Sequence, residues 1–195
     1  MKIGINLLVC FLILMSCNFS QEEKIESFWE SFNHELTFTF PEDKFAACSN
    51  ILIILDSLEA LGETSYPLNM SRIKCKCTVG NYTEAIELAR QENELFLAAL
   101  LRYIEGNLSG GDKLFQPFID KYSAKEFLTE GEFINLHTSR VIVEGTDFEW
   151  ETFKKEVYPK CVDIPDVEEL FYLSKELHES ILTYGGLKKY VCYWK

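Results

Sequence analysis

With 195 residues, 47% of them hydrophobic and 15 of them phenylalanine, the chain has enough apolar surface for one domain with a real core, which excludes a disordered acidic tail. Its 19 Lys and Arg face 31 Asp and Glu, a formal charge of −12. That balance argues against a nucleic-acid or anionic-lipid surface, since phosphate must be neutralised by Lys and Arg.

The chain opens with Lys2 and then a nearly unbroken apolar run, Leu7 to Met15. One early positive charge before a short hydrophobic stretch is the layout of a secretory signal. The run from Ile3 to Met15 is too short to span a bilayer, which takes about 20 apolar residues. Leu95 to Leu101 is as apolar, but Arg102 and Glu105 close it, as suits a buried helix. Leu14-Met15-Ser16-Cys17 resembles the lipobox of bacterial lipoproteins, with Met15 a less usual occupant of its position. The resemblance implies cleavage after Ser16 and a diacyl or triacyl anchor on Cys17. Such an anchor holds because each buried methylene contributes about 0.8 kcal/mol. Residues 17–24 then read as a polar tether. Asn18 stands where some bacteria place an inner-membrane retention aspartate, which points to the outer membrane, and Glu22-Glu23 resembles the acidic export signals of surface lipoproteins. Losing Lys2 with the leader leaves the mature chain one charge more negative.

Helical periodicity begins at once. Ile25, Phe28, Trp29, Phe32 and Leu36 share one helix face. Leu36 to Phe40 briefly alternates before Pro41. Glu42 and Asp43 give an acidic first turn to a helix through Phe45, Cys48, Ile51, Leu52, Leu55 and Leu58, stopped by Gly62. Three passes of helix, glycine and restarted helix follow. Pro67–Val79 stops at Gly80 and restarts at Asn81-Tyr-Thr-Glu84. Glu94–Glu105 stops at Gly106 and restarts at Ser109-Gly-Gly-Asp112, with Pro117 expected to kink the new helix or mark its first turn. A helix from about Glu132 stops at Gly145 and restarts at Thr146-Asp-Phe-Glu149, which fits a capping box. The last long helix opens at Asp166 and closes at Gly185-Gly186, leaving an aromatic tail around Tyr190 to Trp194 as a short strand or irregular segment.

The segment Gly80-Asn81-Tyr82-Thr83-Glu84-Ala85-Ile86-Glu87 resembles half of a tetratricopeptide repeat: a turn glycine, an aromatic, acids and a small Ala where paired helices approach. Asn69, Arg72 and Lys76 depart from the Trp, Leu and Tyr of that family's first helix. The glycine spacings, 26 and then 39 residues, depart from its repeat of about 34. The resemblance implies an irregular array over residues 42–160.

Beyond Cys17, the residues Cys48, Cys75, Cys77, Cys161 and Cys192 allow at most two disulfides with one thiol left over. Cys161 with Cys192 would staple the C-terminal segment, and Cys48 could meet Cys75 or Cys77 but not both. The alternative is that buried cysteines act as small hydrophobes. Cys75-Lys76-Cys77 could be redox-active or bind a soft metal, yet on a helix the two side chains point about 200° apart, and a metal wants four ligands. His34, His137 and His178 have no partner at a recognised spacing. Leu182 removes the second ligand of an H-E-x-x-H motif that His178-Glu179 would begin. No residue is expected to be catalytic, to hold a cofactor or to bind a metal. Asn18, Asn69, Asn81 and Asn107 each begin an N-x-S/T sequon, although Asn81 and Asn107 also follow turn glycines, where Asn is wanted for turns and caps.

The expectation is a signal over 1–16, a lipidated tether over 17–24 and a single all-α domain over 25–195. That domain is a short tetratricopeptide-like stack of seven or eight helices in antiparallel hairpins, with an irregular C-terminal tail. Its function would be non-enzymatic: a lipid-anchored envelope protein that binds or scaffolds another protein or peptide. The alternative is a eukaryotic secreted, disulfide-stapled N-glycoprotein that acts as a soluble binding factor.

Overall fold

The computed structural model describes residues 20–39, 42–106, 110–181 and 184–192, and every regular element among them is helical. Cys17, Asn18, Asn107 and the leader lie outside the described residues. Two compact units emerge, Met1–Val79 and Gly80–Lys195, where a single domain was expected. The division falls at Gly80, whose φ of +87° is a turn conformation that costs glycine least.

In the first unit, α1 spans Gln21–His34 and begins inside the expected tether. Ser20 Oγ accepts from the Glu23 amide at 3.2 Å, and the Glu23 carboxylate accepts from the Ser20 amide at 2.7 Å. Glu22 and Glu23 thus have a structural reason to be acidic: they face the positive end of a helix. Where the sequence briefly alternates from Leu36, the chain continues as a π-helical turn, Glu35–Thr39. Tertiary contact overrides the local pattern there, because buried Glu35 accepts from Asn50 Nδ2 at 3.2 Å. Helix α2, Lys44–Ala60, is capped by Asp43 Oδ1, which accepts from the Ala46 amide. It buries Ala47, Cys48, Ile51, Ile54, Leu55 and Leu58 but leaves Phe45 exposed. Helix α3, Tyr66–Thr78, starts with Pro67 in its first turn and packs on α2 as a hairpin. Arg72 bridges the pair through Asp56 and Glu59.

The second unit holds α4 (Tyr82–Gln91), α5 (Leu95–Glu105), α6 (Gly111–Ser123), α7 (Glu130–Glu144), α8 (Trp150–Val157), α9 (Val167–Ile181) and α10 (Tyr184–Cys192). The hairpins are α4/α5, α6/α7 and α9/α10. They are one helix out of step with the pairing that the glycine stops suggested. The all-α stack of hairpins is as expected; with α10 the described residues hold ten α-helices rather than seven or eight.

Three local expectations change. Asn81 precedes α4 but makes no side-chain capping bond. The capping box is at Thr129 and Glu132, ahead of α7, and not at Thr146 and Glu149. Gly145 (φ +59°) leads instead into a 3-10 turn, Gly145–Asp147, that consumes Thr146. Gly185 and Gly186 lie inside α10, so residues 190–192 are helical, because Leu187, Val191 and Cys192 are buried on one side. Pro117 sits on the exposed side of α6, within the helix.

Helix α6 opens under tight constraint. A Cβ on buried Gly111 would lie 2.9 Å from Ile142 Cγ2 on α7 and 3.1 Å from the Tyr103 ring on α5. The buried Tyr103 ring and the half-buried Ile142 would both have to shift to admit it. Gly111→Ala is therefore expected to destabilise the chain by about 1–3 kcal/mol, read by urea unfolding, despite the better helix propensity of alanine. An unchanged midpoint would mean that the three helices do not approach this closely.

Candidate functional site

The residues singled out from sequence separate rather than converge. Cys48, Cys75 and Cys161 are free, buried thiols, whereas Cys77 and Cys192 are each disulfide-bonded. A Cys161–Cys192 staple is therefore not present. Cys161 instead fills a core position beside Phe133, Phe153 and Phe171, and its Sγ donates to the Val157 carbonyl at 3.4 Å. Burial pushes its thiol up, away from reactivity. Cys48 and Cys75 do meet, as hydrogen-bonded thiols and not as a disulfide. Among the described residues, no group of three His, Cys, Asp or Glu side chains could hold a metal ion.

His137 and His178 come together, although sequence spacing gave no sign of it. His137 lies on α7 with 2% of its surface exposed. Its ring stacks on Phe133 one turn earlier and meets the edges of Phe148 and Trp150 at 5.6 and 5.5 Å. Phe148 also packs on His178 of α9, 5.7 Å away. Nε2 of His137 and Nδ1 of His178 are buried without a hydrogen-bond partner among the described residues. Burial, and then the charge of His178, pushes the His137 pKa down to about 3. A ring held neutral in an aromatic box is a poor proton shuttle at neutral pH but a latent acid lability. The pocket of about 150 Å³ beside it is otherwise mostly aliphatic, with Ile134, Leu170, Leu173 and Ile181 on its walls.

A second recess lies at the start of α7. The α6–α7 connection and the segment before α9 form a cleft of about 310 Å³, with Phe127 and Leu128 on one side and Asp163, Ile164 and Pro165 on the other. Two bonds hold the walls: the Leu128 amide donates to the Lys160 carbonyl at 2.9 Å, and Lys160 Nζ donates to the Ser123 carbonyl at 2.6 Å. Asp166, with φ +50°, turns the chain from this wall into α9. Phe127 is 53% exposed and Val162, next to Asp163, is 68% exposed. Glu130, Glu132 and Asp163 make the rim acidic, and its lysine, Lys125, is already paired with Glu132. Sequence reasoning missed this site. The one available signal was the apolar pair Phe127-Leu128 between charged Lys125-Glu126 and the capping Thr129.

The chain matches no protein-family model, no curated protein and no solved structure.

The buried histidine gives a pH dependence with a definite sign. A folded pKa below the ordinary 6.5 means that the unfolded chain binds the extra proton first. Stability from this group is complete above pH 6.5 and is lost as pH falls towards 3, at up to about 1.4 kcal/mol per pH unit. His137→Phe should flatten unfolding free energy against pH in that window relative to the native chain. Parallel curves for the two proteins would show that folding does not lower the His137 pKa.

Proposed function

We propose that this chain is an exported, lipid-anchored binding module of a cell envelope, and that its partner is a protein or peptide with basic and apolar character. The observation that carries the reading is the acidic cleft flanked by Phe127 and Val162, two large apolar side chains left in solvent on a braced backbone. Exposed apolar anchors inside a charged rim are what a recognition surface needs: the anchor supplies affinity and the charges supply selectivity and rate. The lipobox supplies the tether, with Cys17 as the acylated residue, and the hairpin stack supplies the scaffold in the manner of a diverged tetratricopeptide array. Among the described residues, no helix is long and apolar enough to cross a membrane, so attachment in this reading falls to the lipid.

One observation favours the secreted-glycoprotein reading. The amide of Asn81 does not cap α4, so a capping role no longer accounts for that sequon. Intact mass of the mature N-terminus separates the two: a start at Cys17 with added acyl mass supports the lipoprotein, and an unlipidated start with sugar on Asn69 or Asn81 supports the other.

The binding reading makes its own prediction. In a titration of arginine-containing decapeptides with aromatic or aliphatic residues, Phe127→Ala should weaken binding about tenfold or more, and Asp163→Asn severalfold, with less effect in high salt. Peptide affinities that ignore both substitutions would remove the cleft from the function.

A further inference from the structure

The α2/α3 hairpin brings Cys48 and Cys75 into hydrogen-bond contact, each with none of its surface exposed. They lie 27 positions apart in the chain, on neighbouring helices; the buried face of α2 is otherwise aliphatic, and that of α3 also holds Ser71, Cys77 and Thr78. Cys77, two residues beyond Cys75 on the same helix, is disulfide-bonded, so this part of the fold already contains an oxidised cysteine.

We propose that Cys48 and Cys75 close a further disulfide, stapling α2 to α3, when the chain meets a disulfide oxidant such as oxidised glutathione. In the open hairpin either thiol can attack first, and the two roles are interchangeable; Cys48 is taken first here. The hydrogen bond from Cys75 holds its pKa below the ordinary thiol range against the opposing effect of burial, with smaller help from Thr78 and Lys44. Cys75 is pushed well up by the same hydrogen bond and by burial, and both effects belong to the closed hairpin. The Cys48 thiolate attacks one sulfur of the oxidant, expels one glutathione thiolate and leaves a mixed disulfide on Cys48. Cys75 then gives up its proton, attacks the Cys48 sulfur and expels the second glutathione. One S–S bond is made and one is broken. Two cysteine thiols are oxidised, the glutathione disulfide is reduced to two thiols, and two protons pass to the leaving thiolates.

The burial that brings the sulfurs together also sets what the pair can do. No folded protein can reach thiols without exposed surface, so the pair does not act as an exchange catalyst on other proteins. Oxidation proceeds while the hairpin is open, during folding or through local opening, and the finished bond is then sealed from external thiols. Cys161, whose bond is to a backbone carbonyl, has no such partner thiol among the described residues.

The test uses the full chain, equilibrated with reduced and oxidised glutathione, quenched in acid, alkylated and digested with trypsin. Lys74 and Lys76 flank Cys75, so cleavage separates it from Cys77 and the two pairings are read independently. The expected product links the fragment 45–72 to the one containing Cys75, with Cys161 alkylated once denatured. Recovery of Cys48 and Cys75 as alkylated thiols or as glutathione adducts, while Cys77 and Cys192 stay bonded, would overturn the proposal. In a second measurement the Cys48→Ala/Cys75→Ala chain, which keeps small apolar groups in the core, should melt roughly 5–10 °C below the oxidised native chain. Equal melting temperatures would show that no staple forms.

Discussion

Phe133 sits where α7, α8 and α9 meet, its ring 4.8 Å from Phe171 and 5.8 Å from Phe153, with no surface exposed. Much of the second unit depends on that meeting point. A buried phenylalanine contributes about 1.5–3 kcal/mol through its area, and each edge or offset contact adds about 0.5–1.5 kcal/mol. Helix α8 has only eight residues, too few to hold its shape in water without burying its apolar face. Phe153 and Val157 provide that face, and Phe133 is what they bury it against. Once α8 is fixed, Tyr158–Lys160 has one place to go, and Lys160 can reach back to the end of α6. The cleft wall is therefore a consequence of the aromatic core.

The acidic surplus leaves few cations, and several are spent inside the fold. Arg140 contacts Glu144 and Glu156 and lies over the Phe153 ring, while Lys154 pairs with Glu168 and lies over Phe171. Such partly exposed pairs contribute about 0–1 kcal/mol each, so they matter less for stability than for geometry. Arg140 ties α7 to α8, and Lys154 ties α8 to α9, around the same aromatic centre. The cleft rim, by contrast, has Glu130, Glu132 and Asp163 against the single lysine Lys125.

How much of this could be read from the chain follows from the range of each signal. Apolar positions every three or four residues are a local property and place most of the long helices within a residue or two, although α1 begins at Gln21, four residues before its first apolar position, Ile25. Positive φ at Gly62, Gly80 and Gly145 is local too, and the helices stop where those glycines stand. The capping box misleads because the spacing recurs along the chain, and it is satisfied at Ser20 and Glu23 and at Thr129 and Glu132 but not at Thr146 and Glu149. Thr129 and Glu132 satisfy it in space as well as in sequence. At Thr146 the chain must instead turn tightly so that Phe148 and Trp150 reach His137, and no local rule contains that requirement. Gly185-Gly186 misleads in the same way: burial of Leu187 and Val191 outweighs the roughly 1 kcal/mol each glycine costs a helix. Cysteine arithmetic limited the number of bridges, but the pairing depends on which helix faces meet, and the hairpins are one helix out of step with the glycine pattern.

The candidate site was least legible because it is made of exceptions. Phe127 and Val162 lie in connections, outside any helical stripe, and an exposed apolar residue has no partner in sequence to announce it. The arrangement has a physical logic all the same. Hairpin stacks use their helices to bury one another, so the backbone most open to contact lies in the connections, and these can aid recognition only if they are held still. Here the bracing is backbone to backbone, Leu128 to Lys160, with the Lys160 side chain anchored on Ser123. Those bonds survive any change of side chain at Phe127 or Val162. Under the proposed binding role, the cleft could therefore change its specificity while the scaffold that presents it stays the same.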